Sequence, residues 1–110
     1  MDEAIQAAMR IFSRPNVFRK WDGSRFEKPL NRAVFDVVAH SLADPKVRLA
    51  AIKDKEGVLQ AFKEVSTDDD FRSAVESTTK SKEAVIVRFS KWSRALAQVL
   101  GKKIPLHLPE

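Results

Sequence analysis

The sequence predicts an all-α protein, a small bundle of four or five helices. The 110 residues include only 3 glycines and 5 prolines, too few for the many tight reversals of a β-sandwich or barrel. Several segments repeat apolar residues at the i, i+3, i+4, i+7 spacing of an amphipathic helix. The length suits one hydrophobic core. We therefore expect a single helical domain over residues 1–101 and an extended, proline-broken tail over residues 102–110.

The first helix is expected from Asp2 to Phe12, followed by a long loop. Acidic groups stand at the start of this helix, where the helix dipole favours them, and Pro15 lies just beyond its end. The segment from Ser13 to Leu30 keeps neither a helical nor a strand period and mixes basic with aromatic side chains. We expect an ordered loop. Its aromatic residues either pin it to the helical core, the preferred interpretation, or stack on single-stranded nucleic acid. They are Phe18, Trp21 and Phe26.

Two helices are predicted in the middle of the chain, and the second one could be divided into two shorter helices. One begins after Asn31, a typical N-cap residue, and carries apolar groups on one face as far as Leu42. Asp44, followed by proline, has the chemistry of a new helix start, and the helical pattern then extends to Val65. Gly57 lowers helix stability there by about 1 kcal/mol relative to alanine. A break just before this glycine would give two short helices.

Two further helices complete the predicted bundle. A short one opens at a hydroxyl cap, Ser66 or Thr67, followed by the three carboxylates of Asp68 to Asp70, which suit the unpaired amides and positive dipole of a helix start. Consecutive helical positions point about 100° apart, so capping explains these acids better than a metal site does. Ser81 is expected to cap the last helix, which carries an apolar seam from Val85 to Val99 and runs to Leu100 before Gly101 ends it.

The net charge of +5 is unevenly divided along the chain. Residues 1–32 carry 7 basic and 4 acidic side chains, residues 33–71 carry 5 and 8, and residues 72–110 carry 8 and 3. This pattern indicates either a footprint for an acidic partner or helix faces that neutralise one another on packing. The absence of cysteine excludes disulfides and favours a cytoplasmic location, and no apolar run is long enough for a membrane span.

No pattern in the sequence specifies an active site. There are 2 histidines, no cysteine and no tyrosine, and neither glycine-rich phosphate motif is present. His40 is expected at the surface or boundary of the second helix, and His107 falls in the tail. We therefore expect no enzymatic activity, no metal and no cofactor.

Basic side chains are the stronger functional signal. Along the last helix and just beyond it, four cations and one glutamine, Gln98, follow one another at spacings of 3, 3, 4 and 4 residues, and the cations could contact phosphates at intervals. They are Arg88, Lys91, Arg94 and Lys102. The aromatic loop adds three candidate nucleic-acid contacts, Arg19, Lys20 and Arg25. The alternative is that these side chains only supply the polar faces that helices and loops need.

Two functions therefore compete. The leading hypothesis is binding to the phosphate backbone of double-stranded DNA. The rival is a protein-interaction module, in which the apolar tail and exposed seam residues dock a nuclease partner or a second copy of the chain. No membrane partner is expected.

Five short runs follow one another along residues 18–96. They are Phe18-Arg19, the Pro29 to Asp36 run entering a helix, Asp69 to Phe71 opening a short helix, Thr78-Thr79, and Val87 to Phe89 in the last helix. In this order they resemble the C-terminal helical part of GmrSD-type restriction proteins, which defend bacteria against phage. The resemblance implies an accessory helical domain that works beside a ParB-like nuclease half. It implies no nuclease activity for this chain, because the Asp-Gly-Gln-Gln-Arg run of that half and the HNH-type nuclease part are both missing.

The resemblance also implies roles for individual residues. Five positions match recurring family residues: Asn31, Arg32, Phe35, Phe71 and Arg88. Asn31 would cap a helix and the two phenylalanines would join the core. Arg88 would either contact phosphate or pair with an acid such as Asp36 or Asp70.

Overall fold

The structure, a computed structural model, describes residues 2–76 and 81–101. These ranges contain six α-helices, which are α1 (Asp2–Phe12), α2 (Arg32–Leu42), α3 (Pro45–Lys53), α4 (Lys55–Val65), α5 (Asp69–Glu76) and α6 (Lys82–Leu100). The all-α bundle is thus confirmed. The predicted tail, with Lys102 and His107, lies outside the described residues, as does Thr78-Thr79. No helix in the described ranges is long and apolar enough to cross a membrane.

The helix count exceeds the expected four or five because the break before Gly57 occurs. Asp54 has a non-helical backbone, with φ −128° and ψ 59°, and it ends α3 while capping α4. Its carboxylate accepts a hydrogen bond from the Gly57 amide at 3.1 Å. Asp44 caps α3 in the same manner, accepting from the Lys46 amide at 2.9 Å. Each aspartate satisfies an amide that a helix start leaves unpaired, so each opens a separate helix.

The core is centred on Phe62 of α4. Its ring faces aromatic rings from four other parts of the chain at centroid distances between 5.3 and 6.5 Å. They are Phe12 of α1, Phe26 of the loop, Phe71 of α5 and Trp92 of α6. Three of these pairs meet edge to face and the Phe26 pair is stacked, and aromatic pairs of both kinds add to the free energy gained by burial alone. One side chain therefore joins the loop and three helices to α4.

Helix α1 approaches this core closely because the residues it buries are mostly small. They are Ala4, Ala7, Ala8, Ile11 and Phe12. On the far side, α6 buries Trp92, which is 1% exposed and donates its indole hydrogen to the Ser41 hydroxyl of α2 at 3.0 Å. A buried indole needs such a partner, so this bond fixes α6 against α2.

The loop between α1 and α2 is ordered, and its aromatic residues pack on the helices as the preferred interpretation predicted. Phe18 is buried against Phe35, with ring centroids 4.6 Å apart. Trp21 and Phe26 form an isolated antiparallel bridge and pack edge to face. Because these rings are engaged with the protein itself, stacking on single-stranded nucleic acid would require the loop to detach from the core.

Candidate functional site

One of the predicted phosphate-binding cations, Lys91, forms an ion pair at the start of α5. Asp68 accepts the Phe71 amide at 3.0 Å with one carboxylate oxygen and the Lys91 ammonium at 3.0 Å with the other. The bond from the Phe71 backbone N–H, followed by the bond and charge of Lys91, lowers the pKa of Asp68 below its usual value. Asp68 therefore caps α5 in place of the predicted hydroxyl of Ser66 or Thr67, because those two hydroxyls donate to the Phe62 and Glu64 carbonyls of α4 instead. No group of three or more metal-ligating side chains comes together in the described ranges.

A second predicted phosphate-binding cation, Arg88, forms a hydrogen bond at the end of α5. This side chain is only 8% exposed, and it donates to the Ala74 carbonyl at 3.3 Å. Asn31, while capping α2, donates its amide to the neighbouring Val75 carbonyl at 3.1 Å. Helix ends leave such carbonyls unpaired. Two residues that match the family resemblance thus serve to hold α5 in place.

The prediction that Arg88 lies on an exposed phosphate-binding row is therefore wrong. A step of three residues turns the helix by about 300°, so each step moves a side chain about 60° around the axis. Over two such steps Arg88 and Arg94 diverge by about 120°, which turns Arg88 under α5 and leaves Arg94 exposed. Arg88 forms no ion pair with Asp36, Asp70 or any other described residue.

The three loop cations have different surroundings. Lys20, whose side chain is 16% exposed, pairs with Glu76 at 3.3 Å and Glu27 at 3.6 Å. Arg19 is half-buried, and its Nε is buried without a hydrogen-bond partner among the described residues. Arg25 is 82% exposed, with its Nε 3.9 Å from the Asp22 carboxylate. Two of the described candidate cations, Lys20 and Lys91, are therefore paired with acids, and Arg88 is buried, so the candidates do not form one exposed basic face.

Arg94 instead lies at the edge of a groove between α4 and α6, with a volume of about 540 Å³. Its apolar lining consists of buried or half-buried small side chains, namely Ala61, Val65, Ala95 and Val99. Its polar lining consists of Gln60, Glu64, Asp68, Lys91, Arg94 and Gln98. The groove thus combines an apolar floor with polar margins that carry charges of both signs. We call it the α4–α6 groove.

The sequence does not predict this groove. Val99 belongs to the predicted apolar seam of α6 and is only half-buried, and Ala95, which is also half-buried, lies outside that seam. The available signal was the small size of Ala61 and Ala95 on facing helices, since small residues leave space between two axes. Sequence alone does not show that these two positions face each other.

The described residues contain no arrangement typical of catalysis. His40 packs edge to face against Phe89, with centroids 5.5 Å apart, and is a half-buried boundary residue as expected. The α4–α6 groove, with its apolar and polar lining, is a surface that can bind a ligand.

Comparison with protein-family models, with curated proteins and with solved structures finds no match for this chain. The resemblance to GmrSD-type restriction proteins therefore stays a prediction, based on the short runs described above.

Proposed function

We propose that this chain is a non-catalytic protein-interaction module that binds an extended segment of a partner polypeptide in the α4–α6 groove. The observation that carries the proposal is the pairing of an apolar floor with margins of mixed charge. An extended peptide offers apolar side chains to the floor, and its backbone N–H and C=O groups suit carboxylates, amides and cations alike.

The same margins disfavour a polyanion. Glu64 and Asp68 line the groove beside Arg94, and the Asp68 carboxylate, whose pKa is lowered by the Phe71 amide and by Lys91, is charged at neutral pH. Lys91 is already paired with Asp68. A phosphate chain in the groove would meet these acids well within the screening length of about 8 Å at physiological salt. A polypeptide is therefore the better ligand.

The dimensions also suit a peptide. The helical segments that form the walls, Gly57 to Val65 and Lys91 to Val99, each span about 12 Å along their axes. This length holds about four residues of extended chain. The volume of the groove lies within the range of ordinary ligand sites. If the family resemblance holds, a nuclease half would supply the bound segment.

Selection from a displayed library of random short peptides tests this function. The full chain is used as bait, and the best peptide is then synthesised and titrated by NMR. We expect selected peptides with alternating apolar residues, and shift changes centred on Ala61, Val65, Ala95 and Val99. Ala95→Arg, which fills the floor, should weaken binding about tenfold or more.

Leu49→Arg is the matched control, because Leu49 is 63% exposed and does not line the groove. Circular dichroism verifies that both variants fold. Selected peptides whose affinity is the same for both variants, or shift changes on another face, would contradict the proposal.

DNA backbone binding is a second candidate function, and the exposure of Arg94 and Arg25 favours it. We expect weak binding to duplex DNA that falls steeply between about 50 and 200 mM salt. Replacing both arginines with glutamate should abolish it. Arg72→Glu is the control, since Arg72 is exposed but paired with Asp69 at 2.7 Å. Fluorescence anisotropy measures the affinity, and equal binding by all variants would exclude these contacts.

A further inference from the structure

We propose that the α4–α6 groove is occupied in the free chain by the chain's own residues 102–110, so that this segment competes with the partner. The inference rests on the proposed function, because both require the groove to accept an extended apolar chain. Three observations support it: where α6 ends, how far the following residues reach, and how their apolar groups are spaced.

Helix α6 ends at the groove. Val99 and Gln98, in its last turn, line the groove. Gly101 follows with φ 65° and ψ 26°, and its N–H donates to the Ala97 carbonyl. This left-handed conformation ends the helix and turns the chain away from the helix axis. The described chain therefore ends two residues beyond Val99, a side chain of the apolar floor.

The segment is long enough to cover the floor. Nine residues in an extended conformation span at most about 30 Å. The wall from Val99 back to Lys91 is only about 12 Å long. Even after a reversal of direction, the residues from Ile104 to Leu108 can lie along the whole groove.

The chemistry of the segment matches the floor. Ile104, Leu106 and Leu108 alternate with other residues, and in an extended chain alternate side chains share one face. Pro105 and Pro109 lack a backbone N–H, so they disfavour a continued helix and suit an extended chain. Burying three such side chains removes apolar surface from water on both partners, which stabilises the contact.

Cysteine cross-linking tests the contact directly, because the natural chain contains no cysteine. Gln60 is exposed on the α4 side of the groove, and Leu106 lies in the middle of the segment. We expect the full chain carrying Gln60→Cys and Leu106→Cys to form an intramolecular disulfide under mild oxidation. The control pair, Leu49→Cys with Leu106→Cys, should form it at least about tenfold more slowly. Cross-linking at equal rates would overturn the proposal, as would a covalent dimer as the main product.

A second measurement separates this proposal from the proposed function. In the full chain, Leu106→Asp with Leu108→Asp should free the groove and raise the affinity for the selected peptide several-fold, by removing the competing occupied state. If the peptide binds the groove and its affinity is unchanged by these substitutions, the function stands and the competition is overturned. If the intramolecular disulfide forms but no peptide binds, the contact stands and partner binding fails.

Discussion

At the scale of single residues, the short helix α5 depends on side chains from other parts of the chain. Asp68 caps its first turn and is itself held by Lys91. Arg88 and Asn31 bind the carbonyls of its last turn. An isolated helix of 8 residues is unstable in water, so these bonds and the burial of Phe71 determine whether α5 forms.

Arg88→Met should destabilise the fold without affecting any DNA binding. The substitution keeps an unbranched apolar side chain under α5 but leaves the buried Ala74 carbonyl without its donor, which costs about 1–3 kcal/mol. Urea denaturation followed by circular dichroism measures the change. Arg94→Met, at an exposed position of the same helix, should change the free energy of unfolding by less than about 0.5 kcal/mol. Equal effects of the two variants would contradict the buried role of Arg88.

Lys91→Met should change the pH dependence of stability through Asp68. In the wild type, the pKa of Asp68 is lowered in the folded state, so its contribution is fully present above the unfolded value of 3.8. This contribution is lost as the pH falls through the folded pKa. Removing the ammonium moves the folded pKa of Asp68 back toward 3.8, so wild type and variant should differ above pH 4 and converge in acid.

NMR titration of the Asp68 carboxyl carbon measures this pKa directly. Asp22 provides an internal control, because the Ser24 and Arg25 backbone amides lower its pKa in the distant loop. A pKa of Asp22 that moves together with that of Asp68 would point to a global change instead of a lost ion pair.

At the scale of secondary-structure elements, one aspartate separates α3 from α4. Asp54 ends the first helix and caps the second, and its carboxylate lies where a side chain at position 57 would begin. A Cβ atom added to Gly57 would overlap the Asp54 carboxylate. The glycine therefore makes room for the cap, at the expense of helix propensity.

Gly57→Ala should show strong coupling to Asp54. Alone, it gains about 1 kcal/mol of helix propensity but displaces the cap, which is also worth about 1 kcal/mol, so little net change is expected. In an Asp54→Ala background no cap remains to be lost, and Gly57→Ala should stabilise the protein by about 1 kcal/mol. A double-mutant cycle by thermal denaturation measures the difference. The same effect in both backgrounds would show that the cap is not displaced.

At the scale of the whole molecule, Phe62 of α4 connects the loop, α1, α5 and α6, so we expect these parts to unfold together. Its ring faces rings from the loop, α1, α5 and α6. Trp92 lies in this cluster, whereas Trp21 lies in the loop and contacts Phe26 and the Lys63 ammonium, which is 4.5 Å from the ring centre. The two tryptophans therefore report on different parts of one structure.

Phe62→Ala should destabilise the protein by about 3–5 kcal/mol, because it leaves a cavity among four aromatic rings. Phe62→Leu fills part of that space and should cost less. In single-tryptophan variants, Trp21→Phe and Trp92→Phe, urea unfolding followed by fluorescence should have the same midpoint after correction for each substitution. A loop transition at clearly lower urea would show that the loop unfolds independently of the core.

The local rules of the sequence account for most of the fold. The caps at Asn31, Asp44, Ser81 and Gly101 were all predicted, since each depends on a few neighbouring residues and on the side chain at the helix end. The sequence also allows the break before Gly57, as one of two alternatives. These features need no knowledge of distant contacts.

The accessibility of the basic residues depends on contacts between helices that are distant in sequence. Periodicity placed Arg88 beside the apolar seam of α6, and the packing of α5 over that position buried it. Lys91 and Lys20 form ion pairs with carboxylates that lie 23 and 56 residues away along the chain. The α4–α6 groove likewise exists because two helices distant in sequence face each other through small side chains. The helices and their ends can be predicted from the sequence, because they depend on interactions within a few residues. The accessible charges and the binding groove follow from long-range packing, which no local pattern encodes.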